Sequence, residues 1–278
     1  MLAYLSTFLL VYLLTCLPFY FPFIYVPRWT VFPYNKRMAT VQLFVTCLVD
    51  TFYPEAGEAI VSILHRLGVE VGFPPGQACC GQPAFNAGLR SVARPVAEHI
   101  IKVFELAPGD VVVPSGSCAV MVKHGYPELF ADDPLWLPRA LALAARTYEF
   151  TEYLVDVLGV TDLGARWDGK LAFHSSCHPN HHLGVDRQPR ALLAAVRDAV
   201  LVDLPASEDC CGFGGVFSVE HPEISAEMLK RKISNLEIST SPTLVVTEAG
   251  CRMHIAGGLS KQKKPQKVVH IAEVLNSR

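Results

Sequence analysis

From residue 41 onward, short and mostly apolar runs alternate with longer stretches that carry a single apolar stripe. The run VQLFVT (41–46) reads as a buried strand, and PEAGEAIVSILHRLG (54–68) places Ala59, Ile60, Ile63, Leu64 and Leu67 on one helical face before Gly68. VEVGF (69–73) predicts the next strand, a helix follows over about 89–106, and DVVVPSGS (110–117) predicts a third strand leading to Cys118. The same order then returns. KLAFHSS (170–176) precedes Cys177, a helix is expected over about 188–199, LVDL (201–204) over the next strand, a helix over about 222–238, and TLVVTEAG (243–250) before Cys251. Strands alternating with helices predict an α/β fold of parallel sheets flanked by helices. Ligands of such sheets sit beyond the carboxyl ends of the strands.

Cysteines mark the same repeat. Cys47, Cys79, Cys80 and Cys118 recur as Cys177, Cys210, Cys211 and Cys251, at offsets of 130, 131, 131 and 133 residues, which uses eight of the nine cysteines. Residues 38–158 and 169–278 are therefore read as two duplicated lobes, each a small, mostly parallel sheet with its cysteines at the strand carboxyl ends, joined near LGVTDLGARWDG (158–169). Four thiols gathered at one rim suit an iron–sulfur cluster or a tetrahedral zinc. Ligands spaced single, vicinal, single across more than 70 residues of an α/β lobe favour the larger inorganic body, because zinc ribbons take cysteines two to four residues apart. Gly81 and Gly212 follow the vicinal pairs, where a positive φ lets both side chains of a pair face one centre.

The ninth cysteine, Cys16, lies in a segment of different character. Residues 1–27 carry no charge, and Arg28, Lys36 and Arg37 follow them. Residues 1–37 are read as an upstream extension outside the working protein, with a single membrane anchor as the alternative; three prolines interrupt the apolar run, and a basic leader typical of export is missing. Either way the remainder is expected in the cytoplasm, at the inner face of the membrane if the anchor is real. A net charge of −2 and a sequence pI near 6.5 make nucleic acid a poor partner. No Gly-x-Gly-x-x-Gly follows a strand, so no dinucleotide signature is visible.

Histidines gather around Cys177: His174, His178, His181 and His182. His178, next to the cysteine, is the expected contributor of a proton or hydrogen bond, and His181 and His182 are expected on an exposed loop. Met121 and His254 sit three residues after Cys118 and Cys251 and are expected to pack near the sites, His254 being the better candidate for a supporting contact.

The pattern of one Cys, then Cys-Cys-Gly, then a further Cys, present twice, resembles the cysteine-rich CCG domain found in heterodisulfide reductase and in the iron–sulfur components of glycolate and lactate oxidation systems. The words TCLVDTFYPEAGEA, CCGQPAFNAG, PSGSCAVM, FHSSCHPNHHLGV and CCGFGGVFSV narrow the resemblance to the lactate-utilisation protein A family, over residues 38–277. That resemblance implies cluster ligation by all eight repeated cysteines, one cluster, 4Fe-4S, per lobe, and an oxidoreductase subunit that works with two companions, a second iron–sulfur protein and a third subunit, to oxidise L-lactate. The chain departs from the wider CCG pattern, which ends in Cys-x-x-Cys. Met121 and His254 occupy those last positions here, which argues against the runner-up reading, a thiol–disulfide redox protein like heterodisulfide reductase B. A zinc-stapled binding protein is the third reading.

Overall fold

A computed structural model of the protein describes residues 40–278. The apolar segment 1–37, Cys16 and the expected start at Met38 lie outside the described residues. Among the described residues no helix is long and apolar enough to cross a membrane.

Two four-stranded sheets carry the fold. The first holds β1 (Thr40–Leu43), β2 (Glu70–Gly72), β3 (Asp110–Val113) and β4 (Thr147–Glu149) in the order β2-β1-β3-β4, every pair parallel. The second holds β5 (Arg166–Phe173), β6 (Arg197–Val202), β7 (Thr243–Val246) and β8 (Lys267–His270) in the order β6-β5-β7-β8, again all parallel. Matching order and matching direction make the second sheet a copy of the first, as the doubled pattern predicts.

Helices in the first copy are α1 (Cys47–Phe52), α2 (Pro54–Arg66), α3 (Gln82–Asn86), α4 (Arg90–Glu105), α5 (Gly116–Val120), α6 (Tyr126–Leu129), α7 (Leu137–Ala145) and α8 (Phe150–Glu152). A π-helical turn, Met121–Gly125, joins α5 to α6, and another, Tyr153–Val157, extends α8. The second copy holds a π-helical turn at His178–Leu183, then α9 (Arg187–Ala194), α10 (Phe217–Glu220), α11 (Pro222–Ser239), α12 (Ala249–Lys261) and α13 (Ile271–Asn276). The sequence explains α2 well. Pro54 opens it where no amide partner is needed, Glu55 complements its amino end, His65 and Arg66 its carboxyl end, and Gly68 stops it. Its buried face is Ala56, Ala59, Ile60, Ile63 and Leu64.

Three expectations need correction. The helix expected over 188–199 ends at Ala194, because Arg197 instead pairs with Arg166 and starts β6; sheet pairing overrides the helical character of that stretch. Cys118 and Cys251 do not close strands but ride on α5 and α12, since β3 and β7 stop at Val113 and Val246. β5 begins at Arg166, inside the glycine-rich stretch read as the joint.

One apolar cluster spans both sheets. It joins Ile60, Ile63 and Leu64 of α2 to Ile271, Val274 and Leu275 of α13, and Phe150, Tyr153 and Leu154 at α8 to Leu192 and Leu193 of α9. The packing is an exchange: α13, the last helix of the second copy, lies on α2 of the first, while α8, which closes the first copy, lies on α9 of the second. Arg66 adds hydrogen bonds to Asn276 and to the Leu275 carbonyl. On its other side each sheet has its own core, and each contains two of the thiols: Cys80 and Cys118 in the first, Cys211 and Cys251 in the second.

Candidate metal centres

Each lobe gathers its four cysteines by the same local devices. Cys47 and Cys177 each stand four residues beyond the end of β1 and β5, where the chain leaves the sheet. The vicinal pairs follow β2 and β6, and the glycines after them, Gly81 at φ 86° and Gly212 at φ 90°, hold a backbone that a side chain would strain. That turn aims the glycine amide back at the pair: Gly81 N–H donates to Cys79 Sγ at 3.5 Å and Gly212 N–H to Cys210 Sγ at 3.4 Å. The fourth cysteine is delivered from a helix, with Cys80 Sγ 3.3 Å from Cys118 Sγ and Cys211 Sγ 3.2 Å from Cys251 Sγ.

Crowding splits the thiols electrostatically. Hydrogen bonding from Cys47 pulls Cys79 far down, whereas Cys47 is pushed up by the same contact and Cys80 by its contact with Cys118. The second lobe repeats this: Cys210 falls, chiefly through Cys177, while Cys177 and Cys211 rise through Cys210. Without a cation only some of the thiols in a quartet can ionise, because burial and mutual repulsion oppose a cluster of negative charges. Buried polar atoms tell the same story. Thr46 Oγ1, one residue before the first cysteine of its quartet, has no partner among the described residues, and Ser176, at the same place in the second lobe, and His174 turn to the Cys251 thiol. Sulfur donors converging beside buried polar groups fit a metal-containing group, and all eight cysteines are free of disulfides.

The expected supporting residues separate. His178 Nδ1 lies 3.6 Å from Cys177 Sγ, and burial holds this imidazole below its ordinary value. The His182 ring lies tilted against it, ring centres 5.6 Å apart, and both His181 and His182 are exposed. His254 bonds elsewhere: its Nε2 meets Ser225 Oγ at 3.3 Å and its ring leans on Phe213. Met121 is buried in the apolar core of the first lobe. His174 belongs at the site more than any of these, since its ligating atom and those of Cys211 and Cys251 all lie within 4.8 Å of one another. One signal in the sequence points to it. When the copies are aligned on Cys47 and Cys177, His174 falls on Phe44, so it is a residue the duplication did not keep.

The two quartets share one seam. α5, bearing Cys118, packs on the His178–Leu183 turn, and a Cβ on Gly116 would lie 2.7 Å from Pro179. α12, bearing Cys251, packs on α1, which starts at Cys47. Across the seam Glu248 accepts from Ser115 Oγ–H at 2.7 Å and from Ser117 N–H at 2.5 Å. Burial, and then the nearby Cys251, push the Glu248 carboxyl up to about 8. His270 Nε2–H donates to the Pro114 carbonyl of the first lobe at 2.9 Å, and Arg252 pairs with Glu55 at 3.1 Å.

Comparison with known proteins agrees with this doubled arrangement. The cysteine-rich domain family, CCG, matches residues 41–123 and again 171–256. The chain is 48% identical to lactate utilization protein A of an Exiguobacterium species over 240 residues, 86% of this chain and 98% of that one. It is 48% identical to the protein of that name from Bacillus pumilus and 49% to that from a Geobacillus species, each over 86% of this chain and 99% of the relative. Among solved structures, a glutamate racemase from Francisella tularensis aligns with a TM-score of 0.32 at 10% identity, covering 86% of this chain and 78% of that one, too distant to inform the site. With two CCG domains and close relatives matched over nearly their whole length, the chain belongs to the lactate utilization protein A family.

Proposed function

We propose that the chain is the iron–sulfur electron-transfer subunit of a complex that oxidises L-lactate to pyruvate, and so serves lactate utilisation. The observation that carries this reading is the duplicated thiol quartet at the sheet rims, in a chain whose relatives bear the name lactate utilization protein A. Cys47, Cys79, Cys80 and Cys118 hold one cluster, and Cys177, Cys210, Cys211 and Cys251 the other. A 4Fe-4S cluster at each quartet would supply one-electron acceptance and donation. The chain's own residues do the rest. Gly81 and Gly212 direct amide hydrogen bonds at cysteine sulfur, which stabilises the thiolate form. Cys47 stays exposed and leaves the first quartet an open edge for a docking partner, while α5 and α12 shield the deeper thiols from water.

The hydrogen of lactate is handled by a companion, because the chain offers no nicotinamide or flavin signature to receive it. A second iron–sulfur protein and a third subunit complete the complex, and the cytoplasm keeps the thiols reduced before loading. Met121 and His254 stand where a fifth cysteine would serve thiol–disulfide chemistry, so that reading has no support here.

Anaerobic purification followed by iron, sulfide and zinc analysis, electron paramagnetic resonance, and L-lactate-dependent dye reduction tests this. Expected are iron and sulfide in both lobes, no turnover by the chain alone, and turnover once the companion subunits are added. Zinc in place of iron, or robust turnover by the isolated chain, would overturn it.

A further inference from the structure

We propose that His174 Nε2 ligates iron in the second lobe only, giving that centre a nitrogen donor for which the first lobe has no counterpart. The inference rests on the cluster reading above.

Orientation is the first argument. His174 is fully buried just beyond β5, and its Nδ1 meets the Ser207 carbonyl at 2.9 Å. A carbonyl can only accept, so Nδ1 carries a proton, and Nε2 is the nitrogen left to offer a lone pair to a metal. Histidines that bind metals are typically fixed in this way, their other nitrogen donating to a carbonyl or carboxylate. Ser207 is itself held: buried Lys232 donates to its carbonyl at 3.3 Å and to that of Ala206 at 2.7 Å. The tautomer and the direction of the ring are thus built into the fold.

The second argument is what Nε2 faces. Beyond the Nδ1 bond the ring has the Cys251 thiol as its neighbour, and its ligating nitrogen and the sulfurs of Cys211 and Cys251 all lie within 4.8 Å of one another. Those two cysteines are the most deeply buried of their quartet. A buried lone pair aimed at converging thiols is a donor set that lacks its acceptor.

The third is the internal control that duplication provides. In the first lobe Phe44 occupies the equivalent position, buried, with its ring 5.2 Å from that of Phe104. Lys232, counted from Cys211, falls where the first lobe has the buried Ile101. The ring and its support are both absent there.

Pulsed electron paramagnetic resonance on the reduced, iron-loaded full chain reads the nitrogen directly. A strongly coupled ¹⁴N signal is expected in the parent chain, retained in H178A and H254A, and lost in H174F. The last variant copies the first lobe and is expected to keep its iron. Should H174F shed the second lobe's iron, H178A and H254A still decide, because a coupling that both retain is left with His174 as the ring beside those thiols. Iron and sulfide present without a strongly coupled nitrogen, a coupling that persists in H174F, or one removed by H178A or H254A overturns the assignment. A chain with no iron or sulfide overturns the parent reading instead.

Discussion

Cys47 is exposed, whereas its counterpart Cys177 is half-buried under the turn that begins at His178. After Cys47 the chain continues with Leu48 on α1; after Cys177 it brings His178, Pro179 and two further histidines. Behind the thiols the first lobe packs Phe44 and isoleucine, the second His174 and Lys232. Duplication preserved what backbone geometry requires: the sheet order, the glycine turn at Gly81 and Gly212, and the cysteines that α5 and α12 deliver. It left free what decides how a bound group behaves. Two copies can therefore keep the same donors and still differ in access and polarity.

The largest test of that comparison is to remove one buried cysteine at a time. Cys80→Ala and Cys211→Ala should each cost roughly half the iron and weaken the fold of their own lobe, because metal binding and folding are coupled. Iron analysis and denaturant midpoints check this. Full retention in both variants would show that the quartets are not ligand sets.

Next comes the pair of helix caps, where the lobes hold opposite chemistry in one place. Glu149 caps α8 and His270 caps α13, both buried and each with a Glu three residues on completing the cap. Burial lifts Glu149 from 4.5 to about 7 and lowers His270 from 6.5 to about 4, so each prefers to be neutral in the fold. For Glu149 the stabilisation is complete below pH 4.5 and is lost as pH rises toward 7. For His270 it is complete above pH 6.5 and is lost as pH falls through 4. Each amounts to about 3 kcal/mol by linkage. Urea unfolding across pH 4–8 should show E149Q flattening the loss on the alkaline side and H270Q that on the acid side; unchanged pH profiles would contradict both.

Smaller again is the clasp between the lobes. Glu248→Ala strips Ser115 and Ser117 of a buried acceptor and should destabilise by about 2 kcal/mol, while Glu248→Gln, which keeps an acceptor, should cost about half that. Equal losses in unfolding experiments would mean that the charge rather than the hydrogen bonds matters there. Smallest is His178→Ala, which should leave iron content unchanged, since the first lobe sets Leu48 in that position.

Most of the scaffold was legible in the sequence because its central strands are buried on both faces and so read as apolar runs. Val111, Val112 and Val113, or Leu244, Val245 and Val246, announce themselves. The last strand of each sheet does not. Thr147–Glu149 and Lys267–His270 are short and mix polar with apolar residues, and their pairing with β3 and β7 is a long-range event that no local period encodes. The thiol quartets were legible from spacing alone, since duplication printed them twice. His174 does not stand out in the sequence, where it is one of four histidines, and the carbonyl that orients it lies 33 residues further along the chain.

The crossed packing of α8 and α13 has a consequence for how such a molecule arises and assembles. A lobe made alone would expose the apolar face of its first helix, and the surface that fits it is the closing helix of another copy. Two separate lobes would thus meet through the same patch used twice, the isologous contact of a twofold dimer. Joining them in one polypeptide turns that encounter into an intramolecular closure governed by the effective concentration of the tether. Dilution then no longer dissociates the pair, and two unequal halves can be held together without ever competing with like-with-like pairing.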